Sequence, residues 1–202
     1  MIKKGLLCST IWYFSQFTRM IDTSAMVKKG CKGDATVLKP TVMAAVPLIL
    51  DRIHKAIREK VNQKGTRFQN FFEWAYHYRL EALHEGEQAP IMDFLIFRKM
   101  KAALGGKIKA VFTGGAPLSS ECHNFIRVCL GAKVLQGYGL TETSACATLM
   151  EIDDDISVGM VGPPNQGMQI KLVNWEEGNY RVTDKPRPRG EIIIGGNSVA
   201  DG

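Results

Sequence analysis

The sequence reads as an α/β protein, and three patterns carry that reading. Helical and strand-like periodicities alternate up to about residue 150, a strand–helix–strand run occupies residues 107–136, and short strand-like pieces separated by Gly and Pro follow. The expected architecture is a parallel βαβ sheet region followed by a mostly β subdomain. Its divisions fall at residues 1–21, 22–150 and 151–202.

Taken in order, Lys3 and Lys4 precede an apolar stretch, residues 5–14, that resembles the start of a signal sequence. Ser9, Thr10, Ser15 and Gln16 interrupt it, and it is far shorter than the roughly 20 apolar residues a membrane-spanning helix needs. A buried or frayed start is expected there rather than an anchor. Over residues 47–61, Ile49, Leu50, Ile53, Ile57 and Val61 recur at helical spacing with charged residues between them, which predicts an amphipathic helix. Residues 68–83 repeat the pattern through Phe68, Phe72, Ala75, Tyr76, Leu80 and Leu83, and the polar "HEGEQAP" ends it. A third helical stretch, 92–104, stops at Gly105 and Gly106.

"KIKAVFT", residues 107–113, reads as a strand ending at Gly114 and Gly115. Residues 119–129 read as a helix, capped by Ser119 or Ser120 with Glu121 in the first turn, and residues 133–136 as a second strand. The crossover length predicts that the two strands are parallel. "GGAPLS" and "QGYGLTET" then leave from the same carboxyl edge of the sheet, where open α/β sheets bind ligands. After an acidic turn, "EIDDDIS", strands are expected at 168–173, 180–182 and 191–194, with "TDKPRPRG" a proline-stiffened surface loop.

The composition narrows the function. A chain of 202 residues with 45% hydrophobic content can fill a core, and a net charge of +6 favours anionic partners: nucleotides, phosphorylated cofactors, acidic lipid or nucleic acid. Nucleic acid ranks low, because no aromatic platform is interleaved with a basic stripe. Cys8, Cys31, Cys122, Cys129 and Cys146 contain no Cys-x-x-Cys pair and stand at no metal-ligand spacing with His54, His77, His84 or His123. A reduced, intracellular protein without a zinc site is expected.

Chemistry gathers at the sheet edge. Gly114, Gly115, Gly137 and Gly139 let the backbone approach a flat or phosphorylated ligand, and Tyr138 between two of them can lie along a purine. Thr141 can donate its hydroxyl to a phosphate oxygen, and Glu142 can hold magnesium, a hard cation that prefers oxygen ligands. Together they describe a nucleotide site. No Gly-x4-Gly-Lys-Ser/Thr loop occurs, and "GYGLTE" has glutamate where the dinucleotide fingerprint wants its third glycine.

These stretches resemble the adenylate-forming enzymes, and within them the long-chain fatty acyl-CoA synthetases, especially the animal branch that includes the arachidonate-preferring enzyme. The resemblance runs from Asp22 onward, on "KKGCKGDATVLKPTVMAAVPLILDRI", "GGAPLS", "QGYGLTET", "GMVGPP" and "NWEEGNYRVTDKPRPRGEIIIGG". It implies a partial N-terminal, AMP-binding domain of that fold. It further implies that Gly114, Gly115, Ala116 and Pro117 line the adenine pocket, that Gln136, Gly137, Tyr138 and Gly139 continue the nucleotide contact with Tyr138 flanking the purine, that Thr141 touches phosphate and that Glu142 binds Mg2+. The implied substrates are a long-chain fatty acid, ATP and coenzyme A, and the implied place is the cytoplasmic face of the endoplasmic reticulum or another organelle membrane.

Some family features are not found. The Ser/Thr/Gly-rich phosphate loop, the Thr-Gly-Asp motif and the C-terminal domain with its catalytic lysine have no match, and residues 1–21 match nothing in the motifs. The resemblance therefore implies an internal piece of a ligase with little or no turnover alone. Two rival readings accompany it. One is a non-catalytic product that binds a membrane or a protein through its basic surface. The other is a hydrolase, since "GGNSVA" imitates a nucleophile elbow at Ser198.

Overall fold

A computed structural model describes residues 12–13, 33–87, 89–151 and 156–200. The signal-like start up to residue 11 and most of the acidic turn lie outside the described residues. Five strands form one sheet in the order β1-β2-β3-β4-β5. β1 (Trp12–Tyr13), β2 (Val42–Ala44), β3 (Ala110–Thr113) and β4 (Lys133–Tyr138) are mutually parallel, and β5 (Thr148–Leu149) pairs antiparallel to β4. β6 (Met168–Val173) and β7 (Glu191–Gly196) make a separate antiparallel pair. The α/β reading and the parallel βαβ unit are both met. The segment expected to be a loose start contributes the edge strand β1.

One short helix, α1 (Asp34–Leu38), precedes β2; α2 (Pro47–Asn62) and α3 (Thr66–His84) follow it. Pro47 occupies the first turn of α2, where its missing N–H and fixed φ suit a helix start. The third helical stretch begins earlier than expected and is interrupted. It runs as α4 (Pro90–Met92), a π-helical turn (Asp93–Phe97) and α5 (Arg98–Ala102). In the π turn the Arg98 N–H reaches back to the carbonyl of Asp93, and the extra residue lets the adjacent Ile96 and Phe97 both face the core.

α6 (Ser120–Leu130) links β3 to β4. Ser119, not Ser120, is its cap: the hydroxyl accepts from the Cys122 N–H at 3.2 Å, and Glu121 lies in the first turn. One sheet face carries the register partners Met43, Val111 and Val134, all in the core cluster with Leu50, Phe72, Phe125 and Ile126 from the helices. His54 packs its ring on Phe125 with centroids 4.0 Å apart. Burial, and after it the neighbouring Arg58, pushes the pKa of His54 down, so the imidazole is neutral at pH 7.

Arg127 ties this core to the end of the acidic turn. Its guanidinium is buried and donates to the carbonyls of Ile156 at 2.8 Å and Ser157 at 3.3 Å, and it lies 2.9 Å from His123 Nε2. Arg127→Met is expected to destabilise the protein by about 3 kcal/mol, because those partly buried carbonyls lose charge-assisted donors. Urea unfolding of the variant beside the parent checks this.

Of the later strands, 168–173 and 191–194 are present, whereas 180–182 is not. Tyr180 instead makes an isolated bridge to Trp175 across a tight turn through Asn179, whose φ is +51°. Asp184 then holds the Arg181 N–H and the Arg189 guanidinium, which folds the chain back before it can extend.

Candidate functional site at the carboxyl edge of the sheet

Thr113 stands opposite Gln136 at the ends of parallel strands, so the two glycine-bearing segments start side by side. The approach is close: a Cβ on Gly114 would stand 3.1 Å from the carbonyl oxygen of Gly137. Gly115, with φ +81°, Ala116 and Pro117 are exposed, while Leu118 is buried and anchors the turn into α6. The turn thus presents backbone to solvent from a fixed base.

"QGYGLTET" is less free than a connecting loop. Gln136, Gly137 and Tyr138 belong to β4, where Gly137 pairs with Leu149 and Tyr138 with Thr148. Gly139 then presses against the Ala145–Cys146 backbone, and a Cβ there would run into the Ala145 carbonyl oxygen and stand 2.7 Å from its carbon. Gly139→Val is expected to destabilise the protein by about 1–3 kcal/mol through overpacking and to weaken ATP binding in the same variant. Thermal unfolding with and without ATP reads both effects.

Past Gly139 a single 3-10 turn, Thr141–Thr143, orients the polar residues. The buried Thr143 hydroxyl accepts from the Leu140 N–H at 2.8 Å and donates to the Leu140 carbonyl at 3.0 Å. That bracket leaves Thr141 and Glu142 on the exposed side, with Tyr138 half-buried beside them. None of the ion pairs among the described residues involves Glu142. An exposed carboxylate without a cation, next to a hydroxyl, fits Mg2+, which binds through one or two carboxylates and shares its remaining positions with water and substrate phosphates.

Two residues, Thr113 and Thr148, were not foreseen. Thr113 and Gln136 share a sheet face by register, Tyr138 lies on that face two residues on, and Thr148 is its partner across β5. Thr113 Oγ1, Gln136 Oε1 and Thr148 Oγ1 are buried without a hydrogen-bond partner. Threonine at a strand end carries no signal of this kind until the register is known. The turn after β7 also reaches the site. The Ala200 N–H donates to the Glu142 carbonyl at 2.7 Å, and the Ser144 hydroxyl donates to the Ser198 carbonyl at 2.9 Å.

That turn also bears on the hydrolase reading. Residues 197–199 form a turn closed by Val199 N–H on the Gly196 carbonyl, so Ser198 sits in a hydrogen-bonded turn straight after β7. The buried thiols offer no nucleophile. Burial, with Asp51 adding to it, pushes Cys122 up to about 12, and burial raises Cys129 as well.

Long chain acyl-CoA synthetase 8 of Arabidopsis thaliana is 50% identical over 200 residues, covering 96% of this chain and 28% of that protein. The peroxisomal long chain acyl-CoA synthetase 6 of the same plant is 40% identical over 170 residues, covering 84% of this chain and 24% of that protein. The chain thus spans about a quarter of the length of the curated relatives it matches. The likeness reaches plant synthetases, and the animal branch rests on the quoted motifs alone.

Among solved structures, the adenylation domain of the carboxylic acid reductase from Segniliparus rugosus, in complex with AMP and a co-purified carboxylic acid, superposes with a TM-score of 0.52 at 23% identity, over 84% of this chain and 22% of that one. The adenylation domain of the Mycobacterium chelonae carboxylate reductase gives 0.50 at 26% identity, over 82% and 22%. The AMP-binding enzyme family itself matches residues 6–202, reaching into the 1–21 segment that the motifs left unmatched. By that match the chain belongs to the AMP-binding enzymes.

Proposed function

We propose that this chain carries the adenine- and phosphate-facing edge of an ATP-dependent long-chain fatty acid–CoA ligase. The observation that carries the reading is the juxtaposition of two glycine-bearing segments on adjacent parallel strands, with Tyr138, Thr141 and Glu142 presented beside them. Likeness to proteins named long chain acyl-CoA synthetases supports the substrate class. The reaction has two steps: the fatty acid carboxylate attacks the α-phosphate of ATP to give acyl adenylate and pyrophosphate, and the thiol of coenzyme A then displaces AMP.

Gly114, Gly115, Ala116 and Pro117 border the adenine, Gln136, Gly137 and Gly139 shape its approach, and Tyr138 lies along the purine. Thr141 donates to a phosphate oxygen. Glu142 would hold Mg2+, which when bound would offset negative charge on the phosphates. Thr143 and Ala200 fix the turn that carries Thr141 and Glu142, so these groups are in place before substrate arrives. The buried oxygens of Thr113, Gln136 and Thr148 offer hydrogen-bonding capacity to a polar ligand or to water at this edge.

By the same reading the protein works at the cytoplasmic face of an organelle membrane, and nucleic acid is no partner. Among the described residues no helix is long and apolar enough to cross a membrane. The test is fatty-acid-dependent exchange of labelled pyrophosphate into ATP by the purified full protein. Exchange with palmitate and none with acetate supports the reading; no exchange with any carboxylate sinks it.

A further inference from the structure

Two strained residues stand directly behind the turn that carries Thr141 and Glu142. Among the described residues four that are not glycine have positive φ, and Ser144 at +52° and Ala145 at +84° are the pair adjacent in sequence. The left-handed region disfavours any residue with a Cβ, by about five- to thirty-fold in population for each. Glycine is the usual residue where a helical turn closes this way, and asparagine the next; neither stands here. Strain of this kind persists only where the surroundings enforce it, and it gathers at functional sites.

What enforces it is visible in the bonding. Locally, Ser144 N–H donates to the Thr141 carbonyl and Ala145 N–H to the Leu140 carbonyl, each at 3.1 Å, the paired bonds of a helix end closed by a left-handed residue. The Ala145 carbonyl oxygen fills the space beside Gly139 that a Cβ there would need. From outside the turn comes the bond of the Ser144 hydroxyl to the Ser198 carbonyl at 2.9 Å, across 54 residues of sequence. All these groups belong to the chain itself, whatever packs around it. A return of residue 144 to negative φ would break the paired bonds and turn Thr141 and Glu142 away from their present aim.

We propose that Ser144 is a positioning residue for the adenylate-forming step. By anchoring its hydroxyl on the Ser198 carbonyl it holds residues 144 and 145 in the left-handed region, and so keeps Thr141 and Glu142 directed at the substrate phosphates and their Mg2+. The role rests on the ligase reading of Thr141 and Glu142 given above.

The test compares Ser144→Ala with Ser144→Gly in the full protein. Alanine removes the hydroxyl and keeps the strain, whereas glycine removes both. Palmitate-dependent pyrophosphate exchange at limiting Mg2+ is expected to fall about three- to ten-fold in Ser144→Ala, as for the loss of one hydrogen bond, and Ser144→Gly should recover most of that loss. The Mg2+ concentration for half-maximal exchange should rise in the alanine variant, while that for palmitate and the unfolding temperature stay close to the parent's. Without substrates, amide hydrogen exchange over residues 140–145 should be faster in the alanine variant than in the parent or the glycine variant. With an active parent, an alanine variant equal to it in both assays, or a glycine variant no better than alanine, overturns this role and leaves the ligase reading standing. A parent that exchanges no pyrophosphate overturns the ligase reading, and the role in adenylation with it.

Discussion

Glu142→Gln in the full protein is expected to lower fatty-acid-dependent pyrophosphate exchange by about 10²- to 10³-fold, the range found when one preorganised charge-stabilising group is removed. Its unfolding temperature should stay close to that of the parent. The carboxylate is exposed and joins no ion pair among the described residues, and it is the Glu142 main chain that holds Ala200. Glutamine keeps the size and one acceptor oxygen but removes the negative charge that a hard cation prefers. Raising the magnesium concentration should recover part of the lost rate. A variant that exchanges at the parent rate at low magnesium would remove Glu142 from the site.

Phe125→Ala is expected to have the largest effect on stability, about 3–5 kcal/mol, as large-to-small changes at buried aromatic positions do. Phe125 is fully buried and is the ring at which three helices meet. His54 of α2 lies 4.0 Å away by centroid, Tyr76 and Phe72 of α3 lie 5.7 and 6.2 Å away, and the Arg58 guanidinium sits 4.7 Å above its face. Truncation removes all four contacts together and leaves Arg58, which also pairs with Glu73, over a void. Phe125→Leu, which keeps much of the volume, should lose distinctly less in the same urea titration. The two positions separate cleanly: Glu142 reports on chemistry with the fold intact, and Phe125 reports on the fold.

Elements with a strong local period were legible in the sequence. The 3.6-residue recurrence of Ile49, Ile53 and Ile57 placed α2 within a residue of its observed end, and the strand–helix–strand run at 107–136 predicted both the parallel pairing and the shared edge of the two glycine segments. What escaped depends on distant partners. Gly137 and Tyr138 read as loop because their ladder partner, β5, is only two residues long and comes after a turn. The π turn escaped because one added residue hardly alters an apolar period that already reads as helix. The exposed placement of Thr141 and Glu142 depends on the Thr143 hydroxyl, a bracket that spacing alone does not reveal.

The bond from Ala200 to Glu142 and the bond from Ser144 to Ser198 place the β6–β7 ribbon in mechanical series with the turn that bears Thr141 and Glu142. Torsion of the ribbon is transmitted along those links as displacement of the turn. The stiffness of the carboxyl edge is therefore set partly by strands that contribute no side chain to it.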